Sequence, residues 1–302
     1  MTSSDKHLIA VVGATGAQGG SVVQYLLNDP DHTFRVRGLT RNVDSPKAKE
    51  LAKRGVEVVK ADLSDADSVR SAFKGAYGVF GVTSFWELFS VEKEIKQGKT
   101  LVDAAESAGV KHFVWSTLDH TSDPEVPHWN SKAAVDDYIK QTNLLRTSLY
   151  TAFYFENLLK FPIKKDDNGK LVADWPSCLT DGPIGGFSVT EIGAYALEAF
   201  KKPKEWIAKD MRIVSDIFTP RQYIKDLSSI TGCEISIVET DRARFDSTRA
   251  TGEEIWAKIT ELFYKHMPKR DPELTLRINP SRKDHRAFIE ANKEFYLTSF
   301  KS

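Results

Sequence analysis

Leu8 to Val12 form an unbroken apolar run that stops at Gly13, the pattern of a short strand buried on both faces. Behind it, Gly16 to Leu27 places Val22, Val23, Leu26 and Leu27 along one side of a helix. The alternation then repeats. Strands are predicted at Phe34 to Leu39, Val56 to Val59, Tyr77 to Val82, His112 to Trp115 and Leu144 to Leu149. The intervening spacing predicts helices at Lys47 to Arg54, Asp65 to Phe73, a long one after Val82 reaching Ala108, and Ser131 to Gln141. Parallel strands need long crossover connections, and helices of this length supply them.

After Phe155 the rhythm changes. Asp166-Asp167-Asn168-Gly169, Asp181-Gly182-Pro183 and Gly185-Gly186 mark turns and loops. Short strands are predicted at Leu171 to Ala173 and Arg212 to Val214. Helices are predicted at Thr190 to Phe200, from Thr219-Pro220 to Gly232, around Glu253 to His266, and at Asp284 to Tyr296. The expected architecture is α/β: a Rossmann-type doubly wound parallel sheet over residues 1–155, then a smaller α/β C-terminal lobe over residues 156–302.

Composition narrows the function classes. Lys plus Arg and Asp plus Glu balance at 42 each, so no global field favours nucleic acid or an anionic membrane. The basic cluster Arg242-Ala243-Arg244 is flanked by Asp241 and Asp246 and reads as solvated surface. The two cysteines, Cys178 and Cys233, lie far apart, and the seven histidines show no ligand spacing, so no metal site is expected. The polar N-terminus and the short first apolar run offer neither a signal nor a spanning segment. A soluble, cytoplasmic protein is the default expectation, with the nucleus as a second compartment.

The strongest motif is Gly13-Ala14-Thr15-Gly16-Ala17-Gln18-Gly19, three glycines running directly out of the first strand. At a strand-to-helix junction a small turn lets a pyrophosphate reach the helix N-terminus, where free N–H groups and the helix dipole favour negative charge. The end of the second strand then discriminates between dinucleotides. An acidic residue there accepts from a ribose 2′-OH and repels a 2′-phosphate. This chain reads Leu39-Thr40-Arg41-Asn42, with Asp44 and Lys47 following. Arg41 can stack on adenine and pair with a 2′-phosphate, and Thr40 and Asn42 can donate hydrogen bonds. The expected cofactor is therefore NADP(H). Asp62 and Leu63 after the third strand are placed to meet the adenine, and Val82 and Thr83 after the fourth to line the ribose.

These residues carry a family resemblance. Thr15 to Val22, Thr40 to Asn42, Gln97-Gly98-Lys99, His128-x-x-x-Lys132, Tyr154 to Leu159 and Glu273 to Pro280 resemble the NmrA-like branch of the atypical short-chain dehydrogenase/reductases. The resemblance implies an NADP-binding Rossmann domain and a small lobe closing over the nicotinamide. It also implies cofactor contacts from Gly13 to Gln18, Thr40 to Asp44, Asp62, Thr83, Lys132, and Tyr154, Phe155, Glu156 and Asn157. Members of the family serve as sensors of NADPH status that bind regulatory proteins, and others are oxidoreductases.

Short-chain reductases place a tyrosine one helical turn before a lysine that holds the nicotinamide ribose and lowers the phenol pKa. Here that spacing carries His128 and Lys132. Imidazole can protonate an alkoxide, but a histidine beside Pro127 can equally only pack near the cofactor. Tyr154 is the reserve acid. Ser116 and Thr117 stand where a substrate-orienting serine is found, while Tyr138 lies on another helix face from Lys132. Two expectations follow. The favoured one is a redox-status sensor in which NADP(H) occupancy shifts a closure or homodimer equilibrium read by a protein partner. The other is an NADPH-dependent carbonyl-type reductase using Lys132 with His128 or Tyr154. No direct nucleic-acid or membrane partner is expected.

Overall fold

Each apolar run of the first half forms a strand of one sheet. The computed structural model describes residues 6–160, 163–173, 181–238, 258, 261–262, 265 and 267–301. Its strands and helices alternate as β1 (His7–Val11), α1 (Ala17–Leu27), β2 (Phe34–Thr40), α2 (Pro46–Lys53), β3 (Glu57–Lys60), α3 (Ala66–Phe73) and β4 (Gly78–Gly81). They continue as α4 (Phe85–Leu88), α5 (Val91–Ser107), β5 (His112–Thr117), α6 (Pro127–Lys140) and β6 (Arg146–Tyr150). In the second half come β7 (Phe153–Tyr154), β8 (Ile163–Lys165), β9 (Leu171–Ala173), β10 (Ile184–Phe187), α7 (Ile192–Lys201), α8 (Pro203–Trp206) and β11 (Lys209–Arg212). The remaining elements are β12 (Asp216–Phe218), α9 (Pro220–Thr231), β13 (Ile235–Ile237), α10 (Pro272–Ile278), α11 (His285–Ala291) and α12 (Lys293–Ser299).

The chain groups into two compact units. The first holds residues 1–120, 127–151 and 189–212; the second holds 121–126, 152–188 and 213–302. The single cut after residue 155 read from the sequence thus meets a chain that re-enters the first unit for Val189–Arg212. The first unit is built on a seven-stranded sheet in the order β11-β6-β5-β4-β1-β2-β3, and each pairing is parallel. Strand order reverses between β1 and β4. In such sheets ligands bind at a switch point of this kind, outside the carboxyl ends of the strands.

Period-two alternation explains the two layers on this sheet. Ala10, Val79, Phe113 and Trp115 face one way and pack with Val69, Phe73, Leu101, Val102, Val135 and Ile139 from α3, α5 and α6. On the opposite side α1 packs against α7. A Cβ on Gly78 would meet Phe200 of α7 and Ile9 of β1 within 3 Å, which shows how closely that layer is fitted. The Gln97-Gly98-Lys99 motif is also structural. A Cβ on Gly98 would lie 2.4 Å from Val135, so the glycine sets the approach of α5 to α6.

Four sequence expectations are corrected in this region and beyond. The helix expected from Ser131 begins at Pro127, so His128 is helical rather than in a loop. Proline suits that position because it has no N–H to leave unpaired. The long helix expected after Val82 is divided: Ser90 accepts from the Lys93 N–H at 3.2 Å and starts α5 anew. The strand expected at Arg212 to Val214 is instead β11, ending at Arg212 and pairing with β6. The helix expected from Asp284 to Tyr296 is two, divided at Asn292.

The second unit carries two three-stranded sheets, β12-β10-β7 and β13-β9-β8. Phe155, Phe218, Tyr223, Phe288, Ile289 and Tyr296 form its core. Thr219 caps α9 by accepting from Gln222 N–H, and Gly232 closes it in the left-handed conformation at φ +73°, both as expected. The helix expected around Glu253 to His266 lies mostly outside the described residues, as do Cys178 and the Arg242–Arg244 cluster. No helix among the described residues is long and apolar enough to cross a membrane, and none of their His, Cys, Asp and Glu groups could hold a metal ion.

Candidate functional site

The glycine turn leaves β1 at Val11 and enters α1 at Ala17. Gly13 has φ +64°, a left-handed conformation that a side chain would strain, and its carbonyl accepts from the Gly16 N–H at 2.8 Å. Gly19 serves a different purpose. A Cβ there would lie 2.3 Å from the Gly13 carbonyl oxygen, so only glycine lets the first turn of α1 press onto the loop. Gly16 stands at the N-cap without a side-chain hydrogen bond, and Gly16 and Ala17 are exposed. An eleven-residue helix therefore presents its positive end to solvent at the switch point. Ala14 is buried, and its N–H donates to the Leu39 carbonyl at 3.2 Å, so it ties the turn to β2. Thr15 and Gln18 are half-buried, and Gln18 accepts from the Ser116 hydroxyl at 2.7 Å.

Around this turn the strand ends bring the expected residues together. Arg41 and Asn42 are exposed beyond β2, and Thr40 Oγ1 accepts from the Asn42 N–H. Asn42 Oδ1 accepts from the Asp44 N–H at 3.0 Å, which shapes the loop into α2. Arg41 Nη2 lies 2.8 Å from Glu87 Oε2 of α4. Asp62 is exposed after β3 and accepts from the Ser64 N–H, while Leu63 packs partly into the core. Val82 is half-buried beside the Gly13 turn, its Cγ1 3.7 Å from where a Gly13 Cβ would stand.

Thr83 belongs to a buried polar network that sequence reading missed. Glu94, fully buried on α5, accepts from the Thr83 hydroxyl at 2.9 Å and from Lys132 Nζ at 2.5 Å. Its second oxygen accepts from the Ser131 hydroxyl. Lys132 also donates to the Thr83 carbonyl at 2.9 Å, with a longer contact of 3.4 Å to Thr83 Oγ1. Burial lowers the Lys132 pKa, and the Glu94 carboxylate partly offsets this. An ammonium has three donors; two are committed to Glu94 and the Thr83 carbonyl, and the third makes only the long contact. A ligand hydroxyl at that place can take it. The signal for Glu94 was present: it falls in register with Gly98, Leu101 and Ala105, a carboxylate on the buried stripe of its helix.

His128 lies one turn before Lys132 on α6 and is buried. Its ring packs 5.7 Å from Phe85 and 5.2 Å from Trp86, and its Nδ1 has no hydrogen-bond partner among the described residues. Burial, aided by the Lys132 charge, pushes its pKa down to about 4, so the imidazole is neutral near pH 7. Tyr138 donates to Asp103 at 2.8 Å on α5. Tyr154 to Asn157 belong to the second unit. There the Phe155 side chain is core, Tyr154 packs on Phe187, and Glu156 accepts from the Ser188 hydroxyl at 2.6 Å.

The model of the NmrA-like family matches residues 5–270. The chain is 30% identical to the NmrA-like family domain-containing oxidoreductase lnaB of Aspergillus flavus, over 83% of this chain and 78% of that protein. It is 31% identical to an NmrA-like family domain-containing protein of Dictyostelium discoideum, over 76% and 78%. Among solved structures, Nmra, a negative transcriptional regulator, in complex with NADP superposes with a TM-score of 0.80, at 21% identity and 98% coverage of both chains. The sequence motifs, the reversing parallel sheet and the family match agree, and the chain belongs to the NmrA-like family.

Proposed function

We propose that this chain binds NADP(H) in its first unit and reports cofactor status to a protein partner, without using His128 as a proton donor. The exposed N-terminus of α1 takes the pyrophosphate, and Arg41, where an NAD site has a carboxylate, takes the 2′-phosphate. Lys132 offers its third N–H to the nicotinamide ribose while Glu94 and Thr83 hold it in place. The NADP complex of the structurally similar regulator supports this assignment. Tyr154 to Asn157 are proposed as further cofactor contacts on the resemblance alone.

His128 bears on the choice between sensor and enzyme. Burial beside a lysine keeps its ring neutral near pH 7, so little imidazolium is present to serve as the acid. Cofactor occupancy can then act only by differential affinity, so a partner must bind the empty and NADPH-loaded forms unequally. The oxidoreductase name of the Aspergillus flavus relative favours a second reading, a carbonyl-type reductase using Lys132 with His128 or Tyr154. Incubating the purified protein with NADPH and a panel of aldehydes, ketones and quinones separates the two. The expected result is bound NADPH and no consumption above buffer. Turnover that disappears in His128→Gln or Tyr154→Phe would establish the reductase.

A further inference from the structure

We infer that Glu87 is a specificity-determining residue that competes with the cofactor 2′-phosphate for Arg41 and so narrows the preference for NADP(H) over NAD(H). The inference rests on the proposed reading that Arg41 receives this phosphate. Arg41 follows β2 and Glu87 sits on α4, so the pair joins two strand-end segments on either side of β1. Nη2 and Oε2 are 2.8 Å apart, yet the side chains are 70% and 54% exposed. An ion pair this open adds little to the fold. Glu87 is the only ion-pair partner of Arg41 that the described residues show.

Local structure places the carboxylate there. Phe85, the first residue of α4, is buried against the His128 ring and anchors the short helix, which leaves Trp86 and Glu87 exposed. Glu87 holds Nη2 of a guanidinium whose planar fork serves a phosphate best through two parallel N–H bonds. A 2′-phosphate that uses Nη2 must displace Glu87, and one held by the other N–H groups still sits close to a like charge, whereas a ribose 2′-OH faces neither cost. The carboxylate can even accept from that hydroxyl, as the acidic residue of NAD sites does. Arg41 and Glu87 thus pull the selectivity in opposite directions.

The test is calorimetric titration of NADP+ and NAD+ into wild type, Glu87→Gln, Arg41→Ala and the double variant at one fixed ionic strength. Glu87→Gln should tighten NADP+ by about 1.5- to fivefold, the range that an exposed charge pair commands, and leave NAD+ unchanged or weaker. Arg41→Ala should erase the NADP+ preference, and the double variant should bind NADP+ more tightly than Arg41→Ala alone, because the like charge is gone. Glu87→Gln that binds NADP+ no more tightly than wild type, while Arg41→Ala still loses the preference, would overturn the role of Glu87 alone. Arg41→Ala that binds NADP+ like wild type would overturn the reading beneath it.

Discussion

Replacing Glu94 with glutamine should destabilise the first unit by about 3–5 kcal/mol, the range for breaking one side of a buried ion pair. Glu94 is fully buried, and its oxygens accept from Thr83, Ser131 and Lys132. Without the carboxylate, Lys132 keeps a buried charge that meets only neutral acceptors, the Thr83 oxygens and the introduced amide oxygen. Burial already lowers its pKa, and the variant removes the group that opposes this. A Glu94→Leu/Lys132→Met double variant should recover much of the loss, because removing both charges also removes both desolvation penalties. NADPH binding should fall in both cases, since both release the ribose lysine. Urea denaturation gives the stabilities; a Glu94→Gln protein as stable as wild type would show that the carboxylate does not carry the lysine charge.

Acidification should destabilise the first unit from about pH 6.5 downward, before most of its carboxylates titrate. His112 is fully buried, and its Nε2 lies 2.7 Å from Thr147 Oγ1, which itself donates to the Trp206 carbonyl. The hydroxyl must therefore accept from Nε2–H, and Nδ1 is left without a partner among the described residues. Burial pushes its pKa down to about 4, as it does for His128, from an ordinary value of 6.5. Between those values the unfolded chain binds more protons than the folded one, so stability falls as pH drops through that window. Each histidine contributes on the order of 3 kcal/mol at pH 7 that is lost by pH 4.

His285 in the second unit works in the opposite sense. Burial lowers its pKa, but Asp216 and Asp226, at 2.5 and 2.7 Å from its two ring nitrogens, outweigh this and raise it. Its contribution is complete below 6.5 and fades only as pH rises through the raised value. The acid loss therefore belongs to the first unit. Urea midpoints from pH 7 to 4.5, read beside imidazole proton resonances, check it. A flat stability profile with every imidazole titrating near 6.5 would contradict the burial argument.

Much of the sheet was legible because β1, β4 and β5 are short apolar runs and β2 alternates apolar with polar residues, all between helical spacings, and these signals are local. The glycine turn was legible for the same reason. β11 was not, because Lys209-Asp210-Met211-Arg212 has almost no apolar pattern and earns its place only by pairing with β6. The expected helix began four residues late, at Ser131, although Pro127 is a residue that opens helices. At the site, Thr40 to Asn42 and Lys132 were visible as motif residues. Glu94 showed only as a carboxylate on a buried stripe; its pairing with Lys132 and Ser131, and that of Glu87 with Arg41, arise only where α4, α5 and α6 meet in three dimensions.

The first unit, as proposed, holds a dinucleotide that carries a 2′-phosphate. Calorimetric titration of the wild-type protein with NADPH and with NADH, at one salt concentration, tests that directly. The expected result is one site per chain and NADPH bound at least about tenfold more tightly, the share that a charge-assisted contact from Arg41 can supply. Equal affinities, or binding of neither, would contradict it.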